Sequence, residues 1–293
     1  MPALSKGTLF DAHLVQDLIS KVKCHSSLAA LSAQEPIPFN GLKEFIFTMD
    51  SDIDVVAENG KKTHGGVSID PIKIIPVKVE YGARISDEFL YASEEEQIKI
   101  LKAFNDGFAK KLSQGFDKMA FHGVNPRTGS ASAVIGDNHF DAKVTQSVTF
   151  KNAKVEDNIE AAVALVQGEE HDVTGMVLAP QVTSALASLK VNGVRQYPEL
   201  AFGANPGEVN GLSLDVNKTV ANTTSKDVGI VGDFKNMFKW GYANNIQSEV
   251  IKYGDPDNSG KDLKGYNQVY IRAEAYIGWG IFDGKAFARL VTE

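Results

Sequence analysis

Cysteine is nearly missing from this 293-residue chain. Cys24 stands alone, so no intrachain disulfide can form and no oxidising compartment is implied. An excess of basic charge is missing too. The 30 Lys and Arg stand against 37 Asp and Glu, a net charge of −7, which disfavours tight sequence-specific DNA binding. No run approaches the roughly 18 apolar residues of a membrane span. The opening MPALSKGTLFDAHLVQD lacks the apolar core of a signal peptide. GxGxxG, a Walker loop, GxSxG, HExxH and CxxC are all absent. There is no internal repeat and no low-complexity tract. These absences lead to the expectation of a soluble intracellular protein without a nucleotide, redox or zinc-protease site. Hydrophobic residues make up 43% and charged residues 23%, an ordinary balance for a globular chain. The length suggests about two domains.

What is present is a sequence of unusually long elements early and a compact part late. Residues 1–43 read as a weakly structured arm with one amphipathic stretch, Leu14, Val15, Leu18, Ile19 and Val22 at helical spacing. The two prolines of Glu35 to Gly41 then break the chain. From Glu44 to Glu58 apolar residues alternate (Phe45, Phe47, Met49, Ile53, Val55), and after a polar turn they resume from Val67 to Tyr81. This pattern predicts a hairpin with arms of about 15 residues, about 50 Å long at roughly 3.3 Å per residue. So long a ribbon is marginal alone and is expected to lie on another protein surface. Ser93-Glu94-Glu95-Glu96 opens a capping box. The stripe Ile98, Leu101, Phe104, Phe108, Leu112, Phe116 and Met119 predicts a helix over 94–122, stopped by Gly123, with Lys99, Lys102, Asp106, Lys110 and Lys111 opposite. Shorter helices and strands alternate thereafter, which makes the fold class α+β.

Three polar clusters are candidates for chemistry. Asp50, Asp52 and Asp54 alternate and with His64 could hold a metal, but one strand spreads them about 7 Å apart, so a charged solvated face is the better reading. Asp255, Asp257, Ser259 and Gly260 resemble the start of a calcium loop, yet Tyr266 stands where a bidentate Glu is needed and Pro256 intrudes, so a polar turn is expected. Glu169, Glu170, His171 and Asp172 follow Gly168 at a helix end, where a polar connection is ordinary. Cys24 has no activating neighbour. No active site, cofactor or metal site is expected, and the chain is not expected to be an enzyme.

A chain with an arm, an overlong hairpin and a long single-striped helix is suited to binding copies of itself. In segment order it resembles the Hong Kong 97-type major capsid proteins of tailed bacteriophages. The resemblance rests on VEYGARISDEFLYASEEEQIKILKAFNDGFAKKLSQGFDKMAFHG (79–123), GMVLAPQVTSALASL (175–189), GIVGDFKNMFKWGYANNIQSEV (229–250) and QVYIRAEAYIGWGIFDGKAFARLV (268–291). It implies an N-arm (1–43), an extended E-loop hairpin (44–80), a peripheral domain with its spine helix (81–122 and 246–278), an axial domain (123–245) and a C-terminal strand and tail (279–293).

The implied function is structural: hexamers and pentamers closing into an icosahedral shell around double-stranded DNA, assembled in the bacterial host cytoplasm and resident in the virion. The implied partners are the chain itself, a portal and decoration proteins. No long helical scaffolding segment precedes the arm, so a separate scaffolding protein is expected, and no membrane is. Asn59, Lys61, Lys62 and His64 at the hairpin tip are the candidate intersubunit contacts. The family prototype joins an E-loop lysine to an asparagine of another subunit beside a glutamate. By motif position Lys61 or Lys62, Asn267 and Glu274 would correspond. The Gly-, Asn- and Thr-rich turn looks too wet to supply a neutral amine, so no cross-link is expected. An encapsulin-like shell around an enzyme cargo and, more distantly, a metal-dependent hydrolase are the alternatives.

Overall fold

The computed structural model describes residues 26–61, 64–243 and 247–293. The amphipathic stretch Leu14 to Val22, Cys24 and Lys62 lie outside the described residues.

A short helix α1 (Ser27–Leu31) leads into a hairpin of β1 (Leu42–Met49) and β2 (Val67–Ile74), and then into β3 (Val77–Ser86). The hairpin is shorter than its alternation predicts. Eight residues pair on each arm, from Leu42↔Ile74 to Met49↔Val67, a ladder of about 26 Å at roughly 3.3 Å per residue. Two local features explain the difference. Beyond Met49 the first arm becomes Asp50-Ser51-Asp52-Ile53-Asp54, whose three aspartates are poor strand formers with like charges. On the second arm Pro76 supplies no backbone donor. Residues 77–86 leave the ribbon and join a different sheet.

Helix α2 (Glu94–His122) has the bounds that its local signals predict. The Ser93 hydroxyl accepts from the Glu96 N–H at 3.3 Å. Three glutamates occupy the first turn, where the helix dipole favours them. Gly123 ends the helix at φ +64°, its N–H donating to the Met119 carbonyl. A side chain there would meet the His139 ring at 2.4 Å, so glycine is required on two counts. The stripe is packed as expected: Leu101, Phe108, Leu112, Phe116 and Met119 are buried, while Lys99, Lys102, Asp106, Lys110 and Lys111 are exposed.

Behind α2 lie two sheets. The first is centred on β13 (Gln268–Ile281), whose one edge pairs with β3 over Gln268↔Ser86 to Ile277↔Val77. Its other edge pairs with β12 (Gln247–Ile251) and then with β11 (Phe238–Tyr242). Residues 34–37 run along β11, with the Glu35 N–H donating to the Trp240 carbonyl at 2.9 Å.

The second sheet has the order β4-β14-β10-β5-β9-β8. Its strands are β4 (Ser147–Thr149), β5 (Gly175–Leu178), β8 (Glu208–Val209), β9 (Leu212–Val216), β10 (Asp227–Gly232) and β14 (Phe287–Val291). Every residue of β5 and β10 is buried, as expected for strands covered on both faces. Helices α3 (Phe140–Lys143), α4 (Val155–Gly168) and α5 (Pro180–Ser188) complete this part, with a small hairpin of β6 (Lys190–Val191) and β7 (Val194–Arg195).

One core runs through both sheets. Phe140 is its hub, with ring centroids 5.0 Å from Phe287, 5.5 Å from Phe121 and 5.6 Å from Phe238. Phe116 joins α2 to the first sheet through Trp240 at 5.2 Å and Trp279 at 5.7 Å.

Candidate assembly surface

The hairpin leaves a run of apolar residues uncovered. Directly opposed residues share a face of an antiparallel ribbon, and one face carries Phe45 opposite Pro71 and Met49 opposite Val67. Phe45, Met49, Val67 and Ile69 are all exposed, Met49 at 75%. The loop of residues 50–66 continues the pattern, with Ile53 at 95% and Val55 at 94% exposure. The base of the ribbon is different: Ile74 is fully buried, pressed on Gly280 of β13, where a Cβ would stand 2.8 Å from its side chain. The ribbon is thus anchored at one end and bare at the other.

The candidate residues of the tip, Asn59, Lys61 and His64, are exposed in this loop. Asp50, Asp52 and Asp54 do not share a strand face, because the strand ends at Met49. Asp50 closes the loop instead: its carboxylate accepts from the Gly66 N–H at 2.7 Å. Among the described residues these aspartates and His64 form no group able to hold a metal.

Asn267 precedes the first sheet and Glu274 belongs to it. Asn267 is exposed, with φ +52°, just ahead of β13. Glu274 sits within β13 and ion-pairs with Lys78 at 2.9 Å and Arg272 at 3.2 Å.

The calcium-like loop is filled by a side chain. Arg84 of β3 donates to the carboxylates of Asp255 (2.6 Å) and Asp257 (2.5 Å), the Ser259 hydroxyl (2.6 Å) and the Lys261 carbonyl (2.8 Å). Hydrogen bonding from Arg84 holds Asp257 well below the usual carboxylate range. A guanidinium supplies the positive charge for which the loop is shaped, and it ties 255–261 to β3. Glu169 and His171 also prove to be ties, to Lys285 at 2.8 Å and Asp283 at 3.1 Å.

Two buried polar groups carry no local signal in the sequence. Asp117, on the last turns of α2, is fully buried and receives only donors: the Ser26 hydroxyl (2.5 Å), the Ser27 N–H (3.1 Å), the Asn217 amide (3.2 Å) and the Thr219 hydroxyl (2.8 Å). It thereby caps α1 and docks the chain at residue 26 onto α2. Burial pushes its pKa up to about 6 against these hydrogen bonds.

The second group brings His122, Asp141 and Asp227 within 4.8 Å of one another. Arg289 already pairs with Asp227 at 2.8 and 3.1 Å, and His122 with Asp141 at 3.0 Å. Burial, and then a hydrogen bond with Asp141, raise the pKa of Asp227. That of Asp141 is held down against burial by its hydrogen bond with His122. The internal arginine occupies the position of a cation, and the cluster reads as a structural knot joining α2, α3, β10 and β14. The signals for both groups lie far apart in sequence.

No described helix is long and apolar enough to cross a membrane. The model of the phage capsid family matches residues 6–292. The chain belongs to the phage capsid family. Solved structures agree: a chain of Mycobacterium phage Ogopogo is 30% identical, with 92% of each chain covered and a TM-score of 0.77. A chain of Gordonia phage Cozz is 20% identical at TM-score 0.76, covering 92% of this chain and 87% of its own length. The capsid of an empty GTA particle is 13% identical at TM-score 0.64, with 92% and 90% covered. These last two show the fold alone. No curated protein sequence matches. The protein is a major capsid protein of Hong Kong 97-type fold, a structural component of an icosahedral virion shell that associates with itself into capsomers.

Proposed function

We propose that this capsid protein is laid out as an N-arm (1–43), an E-loop hairpin (44–80), a peripheral domain with α2 as spine (81–122 and 246–278), an axial domain (123–245) and a closing strand and tail (279–293). The hairpin reaches across the neighbouring subunit and links hexamers and pentamers. The observation that carries this is the exposed apolar face of the ribbon, Phe45, Met49, Val67 and Ile69, continued by Ile53 and Val55. Monomers rarely keep so much contiguous apolar surface unless another molecule covers it. Asn59, Lys61, Lys62 and His64 are the tip contacts. The role is structural, without catalysis.

The shell encloses double-stranded DNA without sequence-specific binding, a role consistent with the net charge of −7. It assembles in the bacterial host cytoplasm with a separate scaffolding protein, a portal and decoration proteins. Lys61 is exposed in a polar loop, not in the buried apolar site that a cross-link to Asn267 beside Glu274 would need. Mature particles boiled in detergent and reductant should therefore run as one band near 31.7 kDa. The test is electron microscopy of particles, followed by analysis of their contents. Nuclease-sensitive double-stranded DNA released on disruption is the expected result. A protein cargo in its place would overturn this reading in favour of an encapsulin-like shell.

A further inference from the structure

The hydrogen bonds of the knot at the end of α2 fix where one of its protons must be. His122 is the last residue of α2, and its side chain is only 3% exposed. Its Nε2 lies 3.0 Å from the Thr219 carbonyl. A carbonyl oxygen only accepts, so Nε2 carries a hydrogen. Its Nδ1 lies 3.0 Å from a carboxyl oxygen of Asp141. A neutral ring with hydrogen on Nε2 has a bare lone pair on Nδ1. An ionised Asp141 would then set two lone pairs against each other in a buried site. One further proton, on either atom, turns that repulsion into a hydrogen bond.

The balance of charge asks for the same proton. Arg289 donates to both oxygens of Asp227, at 2.8 and 3.1 Å, and the Ser225 hydroxyl adds a third donor at 2.5 Å. Asp227 on β10 is thus matched by Arg289 on β14, and His122 is the group facing Asp141. The other titratable groups acting on the site, Asp137 and His139, precede α3. Burial lowers the pKa of His139, so it does not supply a second positive charge. A proton placed on Asp227 instead would still leave the Nδ1 lone pair facing Asp141. Without the proton, two carboxylates share one guanidinium, and a buried charge goes uncompensated.

We propose that His122 and Asp141 hold one proton between them, and that this proton locks the end of α2 to the second sheet. The lock spans four parts of the chain: α2 through His122, α3 through Asp141, the turn Lys218–Val220 through the Thr219 carbonyl, and β10 with β14 through Asp227 and Arg289. Arg289 also donates to the Asp141 carbonyl at 3.3 Å. The packing of Phe121 on Phe140 at 5.5 Å does not depend on the proton, so its loss loosens the polar side of this corner and leaves the apolar side in place. The folded chain binds this proton and the unfolded chain releases it more readily, so the contribution to stability is lost as pH rises above neutrality.

The test uses full-length chains in assembled particles, with nitrogen-15 in histidine and carbon-13 in aspartate and threonine. Magnetic resonance identifies the His122 ring by its proximity to the Thr219 carbonyl and by its loss in His122→Gln. The expected result at neutral pH is a ring protonated on both nitrogens beside an ionised Asp141. A singly protonated ring beside a protonated Asp141 puts the same proton on the other atom and supports the proposal equally. A singly protonated ring beside an ionised Asp141 overturns it. The same signals, followed to alkaline pH, read the lock without any variant: loss of the proton should shift the Thr219 carbonyl, and an unmoved signal overturns the lock. Asp141→Asn supplies an amide donor to Nδ1 of a neutral ring and has no proton to lose. The wild-type melting temperature should fall by several degrees from neutral to mildly alkaline pH, and that of Asp141→Asn clearly less. A merely structural role would lower the melting temperature of Asp141→Asn by the same amount at every pH, and equal slopes in the two chains overturn the proposal.

Discussion

Strand β10 and the hairpin β1–β2 are both short and rich in apolar residues, yet they end in opposite environments. All six residues of β10 are buried between its neighbours and the helices. On the hairpin, Phe45 and Met49 face solvent, and so do Ile53 and Val55 in the loop beyond. The hydrophobic effect acts equally on both. What differs is where the covering surface comes from: within one chain for β10 and, as proposed above, from a neighbouring subunit for the hairpin. Substitutions in the first region should therefore be read in stability, and substitutions in the second in assembly.

The largest stability effect should come from the core. Phe116 is fully buried between Trp240 and Trp279, and Phe→Ala at such a site costs about 3–5 kcal/mol. Chemical denaturation of Phe116→Ala should show it. A cost below about 1 kcal/mol would mean that the core tolerates a cavity there.

Asp117 should come next, through pH. An acid whose folded pKa lies above its unfolded value binds more protons folded than unfolded between the two. Its contribution to stability is complete below the unfolded value of 3.8 and lost as pH rises through about 6. The swing amounts to at most about 3 kcal/mol at 1.36 kcal/mol per unit. The melting temperature should rise from pH 7.5 to pH 5, and Asp117→Asn should flatten the rise. Asp227, raised in the same direction, keeps part of the slope. An unchanged slope in Asp117→Asn would mean that residue 117 does not titrate in this window.

A smaller effect is expected from Arg84→Ala. Its partners are near the surface, where ion pairs contribute little to global stability. The change should be local, with faster amide hydrogen exchange at Ser259 and Gly260, whose N–H groups donate to Asp255. Unchanged exchange there would show that the loop holds without the guanidinium.

The smallest stability effect belongs to the bare face of the hairpin. Met49→Ser and Ile53→Ser should shift unfolding by no more than about 0.5 kcal/mol while reducing particle yield. A large loss of stability would place the hairpin inside the core and erase the contrast with β10.

The elements legible in the sequence are those whose signals are local. Helix α2 announces itself by a stripe, a cap and a glycine within 31 residues (93–123). Strands β9 (LSLDV) and β11 (FKWGY) show their alternation in place, while β10 shows a short run of Val, Ile and Gly after Asp227. Alternation alone overstates the hairpin's length, because it does not register the aspartates after Met49 or the missing donor of Pro76. Asp117 was not legible, because a single acidic residue in an amphipathic helix looks solvated until Ser26 and Thr219 arrive from about 100 residues away on either side. A weak hint was available: Ala109, Ser113 and Asp117 form an i, i+4 row of buried positions beside the main stripe. The pairings of Arg84 with Asp257 and Arg289 with Asp227 cross 173 and 62 residues, beyond the reach of spacing arguments.

The most direct measurement replaces residues 51–65 with a two-residue turn. Asp50 and Gly66 already meet, the Asp50 N–H donating to the Gly66 carbonyl at 3.2 Å, so the ladder below can close. Wild-type and shortened chains are compared by thermal melting and by electron microscopy under the same assembly conditions. The predicted result is an unchanged melting temperature with closed shells from the wild type and none from the shortened chain. Shells formed equally by both chains would contradict the assignment of the hairpin to the neighbouring subunit, and so would a shortened chain that no longer folds.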